Sequence, residues 1–275
     1  MKIRHAIGFL VMLLLLGSLI EKLWVLQRPD HTEGIVEVVF MQTSRDADCI
    51  ALCQGEDAVV IDTGEAIDSE HILQRLKERG INNIFFLILS HPDKDHIGSA
   101  KEILREIPTR QIIAPIYLKE SALLDQVRAE AADQSIPFIT STLSKRYLFK
   151  DIAFTVFVPF KRDYEKDNDY SLAVLAKHRD VNMFFAGDAE KKRIGELLQM
   201  NLPPVDVYKV AHHGRANSLS ASLINVLQPK YAVITAKSGD SAVLEALQES
   251  GSEVLYTSSK DIVMVSDGVS MKIKE

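Results

Sequence analysis

Cysteine is almost missing from this chain: Cys49 and Cys53 are the two in 275 residues. They stand four positions apart on a run with strand character, so their Cα atoms lie roughly 13 Å from each other, too far for a disulfide bond. A disulfide framework is excluded, and both read as core thiols. Positive charge is also in short supply. Lys and Arg number 32 against 38 Asp and Glu, a net charge of −6. That excludes a protein that grips nucleic acid through a broad basic face, but not a nuclease whose metal ions bind the phosphates. Two local basic clusters, Lys145-Arg146 and Lys191-Lys192-Arg193, read as solvated faces. There is no internal repeat in residue identity. The N-terminal region has no clean small-x-small cleavage site.

At the N-terminus, Lys2 and Arg4 precede an uncharged run from Ala6 to Ile20. Glu21 and Lys22 interrupt it, and Leu23-Trp24-Val25-Leu26 resume it. Residues 1–26 read as an uncleaved signal anchor, short for a bilayer, with Trp24 at the interface. Lys2 and Arg4 put the start of the chain in the cytoplasm and the rest outside. Secretion after cleavage is the alternative. Residues 27–34 form a linker, and 35–275 form the main domain. The overall composition, 47% hydrophobic and 25% charged, is that of a globular protein.

Within 35–275, Ile35 to Met41 opens a β region, and Asp48–Cys53 and Ala58–Ile61 make a hairpin. A helix runs from Ser69 to Arg79 with Gly80 as its C′ residue. Strands and helices then alternate to the C-terminus. The two halves share a coarse order: β-rich, then helix, strand, polar loop, helix. Packed sheet to sheet with helices outside, they make a four-layer αββα sandwich of the mixed α/β (α+β) class.

Three polar clusters each follow an apolar strand. His91-Pro92-Asp93-Lys94-Asp95-His96 follows Ile84 to Leu89 and leads into a helix at Ile97. Its imidazoles and carboxylates suit zinc or manganese. Taken alone it also fits a polar turn with capping Asp residues. Gly187-Asp188 follows Asn182 to Ala186 and fits either a bridging ligand or a helix cap. His212-His213-Gly214 follows Val205 to Val210. Adjacent histidines in a strand would face opposite ways; on a loop they can serve two ions, and Gly214 permits the tight backbone this needs. His5, His31, His71 and His178 have no such context and read as structural or solvated.

The succession of strand, Ile61-Asp62-Thr63-Gly64, helix, strand, H-x-D-x-D-H, a strand ending in Gly187-Asp188 and a strand ending in Lys209-Val210-Ala211-His212-His213-Gly214 resembles the metallo-β-lactamase superfamily. Order and spacing are most similar to the hydrolase domain of ComEC-type competence proteins and to choline-phosphate esterases, over roughly 35–275. The resemblance implies two divalent ions, Zn2+ or Mn2+. One would be held by His91, Asp93 and one imidazole of His212-His213, the other by Asp95, His96 and the second imidazole. Asp188 would bridge them, and Asp62 would support the loop. Asp93 stands where most members have His, as in the subfamily named. Asn168 and Ser171 match an N-x-x-S element near the substrate.

Three departures stand out. Thr43 to Asp48 replace a glycine-rich turn, Arg215 replaces a serine after His-His-Gly, and a late Gly-His-Pro element is missing. They are expected to touch substrate contacts more than the metal core. Arg215 is a candidate phosphate contact through its planar donor fork, whereas Lys94 reads as facing solvent.

By this likeness, two ions about 3.5–4 Å apart share a water, lower its pKa and direct the hydroxide in line at a phosphorus or carbonyl centre. Asp95 and Asp188 are the candidate catalytic residues, Asp95 as acceptor of the water's proton. The expected activity is a membrane-anchored, extracytoplasmic phosphodiesterase acting on nucleic acid or a cell-wall phosphodiester, with no stable protein partner. Alternatives are a carboxyl-ester, lactone or β-lactam hydrolase, or a catalytically silent binding module.

Overall fold

The structure, a computed structural model, describes residues 34–274. The expected anchor and all but the last residue of the linker lie outside the described residues. No helix among the described residues is long and apolar enough to cross a membrane.

In chain order the elements are β1 (Val36–Phe40), β2 (Ile50–Gln54), β3 (Asp57–Ile61), α1 (Ser69–Glu78), β4 (Asn83–Ile88), α2 (Lys94–Ile97), α3 (Ala100–Glu106) and β5 (Ile112–Ala114). Then come α4 (Ala122–Asp133), β6 (Phe138–Thr140), β7 (Lys145–Phe149), β8 (Ile152–Phe157), β9 (Ala173–His178), β10 (Val181–Phe185), α5 (Lys191–Leu197) and β11 (Val207–Lys209). The chain closes with α6 (Ser220–Leu227), β12 (Tyr231–Ile234), α7 (Ser241–Glu249), β13 (Glu253–Tyr256), β14 (Ile262–Ser266) and β15 (Met271–Ile273).

An eight-stranded sheet runs β15-β14-β1-β2-β3-β4-β5-β6, and a seven-stranded sheet runs β13-β12-β11-β10-β9-β8-β7. Side-chain alternation assigns the layers. In β1, Val36, Val38 and Phe40 join the core between the sheets, while Val39 faces the helices. Helices α1, α3 and α4 cover the first sheet with Ile72, Leu76, Ile103, Leu104, Leu124 and Val127. Helices α5 to α7 cover the second with Ile194, Leu197, Leu223, Ile224, Val243 and Leu247. The result is the αββα layering.

The halves do not divide cleanly between the sheets. β14 pairs antiparallel with β1, so the end of the chain returns to the first sheet. Similarity of coarse element order carries no information about this crossover. His178 is structural, one of the two readings its context allowed. It closes β9, fully buried, with Nδ1 2.8 Å from Ser266 Oγ on β14. This contact ties the sheets together at the end away from the polar clusters.

Two local features set the site's frame. Between β3 and β4 the register slips, Ala58 opposing Ile84 and Val59 opposing Phe86. Phe85 and Phe86 therefore both pack on the inter-sheet core, and the slip sets the phase with which Leu87 to Leu89 leave the sheet. Gly98, between α2 and α3, packs its Cα on the turn after β3. A Cβ there would stand 2.3 Å from the Lys94 carbonyl oxygen and 2.6 Å from the Ala66 nitrogen. Gly98→Ala is expected to destabilise the fold by about 1–3 kcal/mol, read as a lower urea midpoint; an unchanged midpoint contradicts this packing.

Candidate metal centre

Strands β3, β4 and β5 run parallel, as do β10, β11 and β12. Their carboxyl ends meet at one mouth of the sandwich, where side chains leaving parallel strands converge. Asp62 leaves β3 in left-handed backbone (φ 58°). Its Oδ1 accepts from the Ser90 amide at 2.7 Å. Its Oδ2 accepts from Ser90 Oγ at 2.6 Å and lies 2.8 Å from His96 Nδ1. Asp62 thus ties the end of β3 to the hexapeptide after β4.

Asp95 and His96 stand on the one-turn helix α2 rather than on a loop, and Asp93 precedes it in extended backbone. Thr63 holds that turn, donating from N and Oγ1 to the His96 carbonyl at 2.6 and 3.0 Å. A single helical turn spreads its side chains little, so convergence survives.

From the second sheet, the Asp188 amide donates to Ser171 Oγ at 3.0 Å. His212 and His213 both have positive φ (50° and 53°), followed by Gly214 at 86°. Left-handed backbone is strained for imidazole-bearing residues. Here it turns His213 inward, buried, and leaves His212 half-buried at the mouth.

Asp188 is the meeting point. Its Oδ1 is 3.2 Å from His96 Nε2, and its Oδ2 is 3.1 Å from His213 Nε2 and 3.9 Å from His212 Nε2. Asp95 Oδ2 is 3.5 Å from His213 Nε2. Donor atoms of Asp95, His96, Asp188 and His213 all lie within 4.8 Å of one another. Beside them, His91 Nε2 is 3.5 Å from Asp93 Oδ2, and the His91 and His96 rings are 4.1 Å apart.

The imidazoles are presented for coordination. Nε2 of His91, His96 and His213 is buried without a hydrogen-bond partner in each case. Every opposite nitrogen is engaged: His96 Nδ1 with Asp62, His91 Nδ1 with Ser90 Oγ at 3.0 Å, and His213 Nδ1 with Thr235 Oγ1 at 3.0 Å. Such partners fix the tautomer that turns the Nε2 lone pair inward. Buried, unpaired nitrogens ringed by carboxylates fit divalent cations.

Electrostatics agree. Burial works against a charged imidazole, yet Asp188 and Asp62 hold the His96 pKa well above its ordinary value. For His213, burial is again outweighed, by Asp188 and Asp48, and the pKa rises from 6.5 to about 10. Burial opposes ionisation of Asp188, but His96, His213 and Lys209 hold its pKa well below the usual range. In each case the cluster calls for positive charge.

Two buried residues under this cluster were not anticipated. Asp48 lies in the segment that replaces the glycine-rich turn. Its Oδ1 accepts from Thr235 Oγ1 at 2.6 Å, and its Oδ2 pairs with Lys209 Nζ. That segment therefore reaches the metal core, contrary to expectation. The available signal was a charged residue at the edge of, or within, an apolar run: Asp48 before Cys49-Ile50-Ala51-Leu52, and Lys209 inside Val207 to Ala211. Asp48, Asp62, Asp93, Asp95 and Asp188 bring five carboxylates and Lys209 one ammonium. Their net charge is strongly negative and calls for divalent cations.

The expected substrate contacts divide. Asn168 Nδ2 and Arg215 Nη1 each lie 3.1 Å from His212 Nε2, and Arg215 is exposed. Ser171 is fully buried, with Oγ under Asp188 and 3.5 Å from His91 Nδ1. It supports the centre and has no substrate-facing surface. Lys94 is exposed, 3.7 Å from Glu65.

An αββα sandwich with this cluster at its mouth defines a class of metal-dependent hydrolases. The sequence profile of the Metallo-beta-lactamase superfamily matches residues 43–236. The chain belongs to that superfamily and is a metallohydrolase of that fold. It is 30% identical over 191 residues to ComE operon protein 3 of Bacillus subtilis (strain 168), covering 66% of this chain and 24% of that protein. To Recombination protein 2 of Haemophilus influenzae it is 28% identical over 172 residues, 62% of this chain and 20% of that protein. The chain thus spans about a quarter or less of those relatives. Among solved structures, the metallo-β-lactamase fold protein YhfI of Bacillus subtilis superposes with a TM-score of 0.57 at 13% identity, over 84% of this chain and 100% of that one. CmlA, a diiron β-hydroxylase from Streptomyces venezuelae, does so at 0.53 and 9% identity, over 83% of this chain and 53% of that one. Both share the fold.

Asp62→Asn is expected to weaken metal binding about 10–100-fold with circular dichroism unchanged; titration calorimetry that finds wild-type affinity contradicts the support role. A pH dependence also follows. A base whose pKa rises on folding stabilises most below its unfolded value. The His213 contribution in metal-free protein is therefore full below 6.5 and lost as pH climbs toward about 10. Melting temperature without metal should fall over that window. Saturating zinc should abolish the fall, because neutral imidazole is the ligand. A flat metal-free curve contradicts the shift.

Proposed function

We propose that the chain is a metal-dependent phosphodiesterase whose substrate is nucleic acid or a cell-envelope phosphodiester. The observation that carries this reading is the carboxylate of Asp93 beside His91, which makes the second half of the centre richer in oxygen than a third imidazole would. Oxygen donors favour hard divalent ions and, through them, phosphoryl oxygens. The likeness to ComE operon protein 3 and Recombination protein 2 supports it.

The proposed ligands are His91, Asp93 and His212 for one ion and Asp95, His96 and His213 for the other, with Asp188 between them. Zn2+ or Mn2+, when bound, supplies a nucleophilic water near neutral pH and neutralises charge on the phosphoryl oxygens. Asp95 is partly exposed at the mouth, so its carboxylate accepts the water's proton. Asn168 and Arg215, whose N–H groups point at His212 Nε2, turn those donors to the phosphate once an ion takes that nitrogen. Asp62, Thr235 and Ser171 keep the ligands in place. An intact set of donors speaks against a silent binding module. We infer further that residues 1–26 anchor the chain and that catalysis takes place outside the membrane.

The test uses the full chain with Zn2+ or Mn2+ on bis-p-nitrophenyl phosphate, DNA and nitrocefin. Phosphodiester cleavage is expected, lost at least about a thousandfold in His91→Ala and Asp188→Ala, with circular dichroism retained in both. Full activity in either variant refutes the site, and nitrocefin hydrolysis without phosphodiester cleavage refutes the substrate class.

A further inference from the structure

Lys209 is a charged group at the centre to which hydrolysis assigns no part. It closes β11 and is fully buried. Its Nζ faces three acceptors: Asp48 Oδ2, the Gly187 carbonyl oxygen at 3.1 Å and Asp188 Oδ1 at 3.5 Å. An ammonium has three N–H donors and no lone pair. Three oxygens, two of them from carboxylates, therefore define a fixed cation. Stability alone does not account for it, since an apolar pair commonly replaces a buried ion pair without loss. Nor does support of His213, because Thr235 and Asp48 provide that without the lysine. The ammonium's distinctive contact is with Asp188, the carboxylate between His96 and His213.

We infer that Lys209 sets the valence of the metal centre. Its charge beside Asp188 favours a pair of divalent ions and disfavours a trivalent one, so iron placed in this site stays ferrous. The inference rests on the reading that the clusters bind two ions. With the ammonium present, the five carboxylates are left four charges short of neutrality, which two divalent ions supply. Without it they are five short, which suits one divalent and one trivalent ion. The local field acts in the same direction. A unit charge a few ångströms away, at an effective dielectric near 20, disfavours a 3+ over a 2+ ion on the order of a hundredfold in their binding ratio. The fold alone leaves the choice open, because it is shared with the diiron CmlA. Lys209 would thus specify a hydrolytic rather than a redox centre.

The experiment loads the full chain without oxygen with two equivalents of Fe2+ and adds ferricyanide, which takes one electron for each Fe2+ that becomes Fe3+. After desalting, Mössbauer and electron paramagnetic resonance spectra report the iron retained and its valence. Elemental analysis reports Zn2+ and Mn2+ binding in parallel. The wild-type chain is expected to hold two divalent ions and to stay ferrous or release its iron on oxidation. Lys209→Met is expected to shift retention toward ferric or mixed-valent iron on the order of a hundredfold. Asp48→Asn, which leaves Asp188 as the ammonium's one carboxylate partner, is expected to weaken Mn2+ binding at least about tenfold. Wild-type protein that keeps ferric iron through desalting overturns the inference, whether or not Lys209→Met folds. Wild-type Mn2+ affinity in Asp48→Asn also overturns it. No readout involves a substrate, so a divalent-selective chain that cleaves no phosphodiester refutes the functional reading and leaves this one standing.

Discussion

A dense cluster of carboxylates, three of them buried, at the mouth of a β sandwich is the constraint on which the rest of this molecule depends. Removing an ion from water costs several kcal/mol unless a partner compensates, and here Asp48, Asp62 and Asp188 are all buried within contact of one another's partners. Lys209 offsets one of these charges. The imidazoles of His96 and His213 supply more, as protons or by sharing a divalent ion. The surrounding structure keeps this arrangement from relaxing: the register slip between β3 and β4, the close approach at Gly98 and the left-handed backbone at His212 and His213.

Hydroxyl groups carry the orientation. Ser90, Ser171 and Thr235 each stand between a carboxylate or backbone amide and an imidazole. Ser90 and Thr235 each accept from an imidazole N–H and donate to a carboxylate, so these two short chains are polarised in one direction, whereas Ser171 accepts from the Asp188 amide. The centre is nonetheless asymmetric. Asp95, His96, Asp188 and His213 form a close, enclosed group, whereas Asp93 and His212 are nearer solvent and His212 meets Asn168 and Arg215. The first group is suited to holding an ion firmly while Asp95 still reaches the mouth, and the open half is suited to meeting substrate.

Much of this was legible in the chain because it is local. Apolar runs leading to His91, Asp188 and His212 announce buried strands with polar residues at their ends, and the clustering of H-x-D-x-D-H at a strand end announces convergence. The supporting part of Asp62 came from the family resemblance of its turn and not from the residues alone. Pairings between the two sheets were not. Nothing near Lys209 in sequence says that Asp48 will face it, and nothing near Ser171 says that Gly187 and Asp188 will bury it. The return of β14 to β1 is of the same kind, since strand order is settled by packing between distant segments and not by periodicity. His178 read as structural or solvated, and it is structural, ending its strand with its ring facing Ser266.

The most direct test of this account is anomalous diffraction from crystals of the chain grown with Mn2+, with data collected on either side of the manganese absorption edge. Two manganese peaks are predicted, one on each side of the Asp188 carboxylate: the first among Asp95, His96 and His213, the second beside His91, Asp93 and His212. A single peak, or peaks confined to other acidic residues with these side chains unliganded, would contradict the two-ion centre.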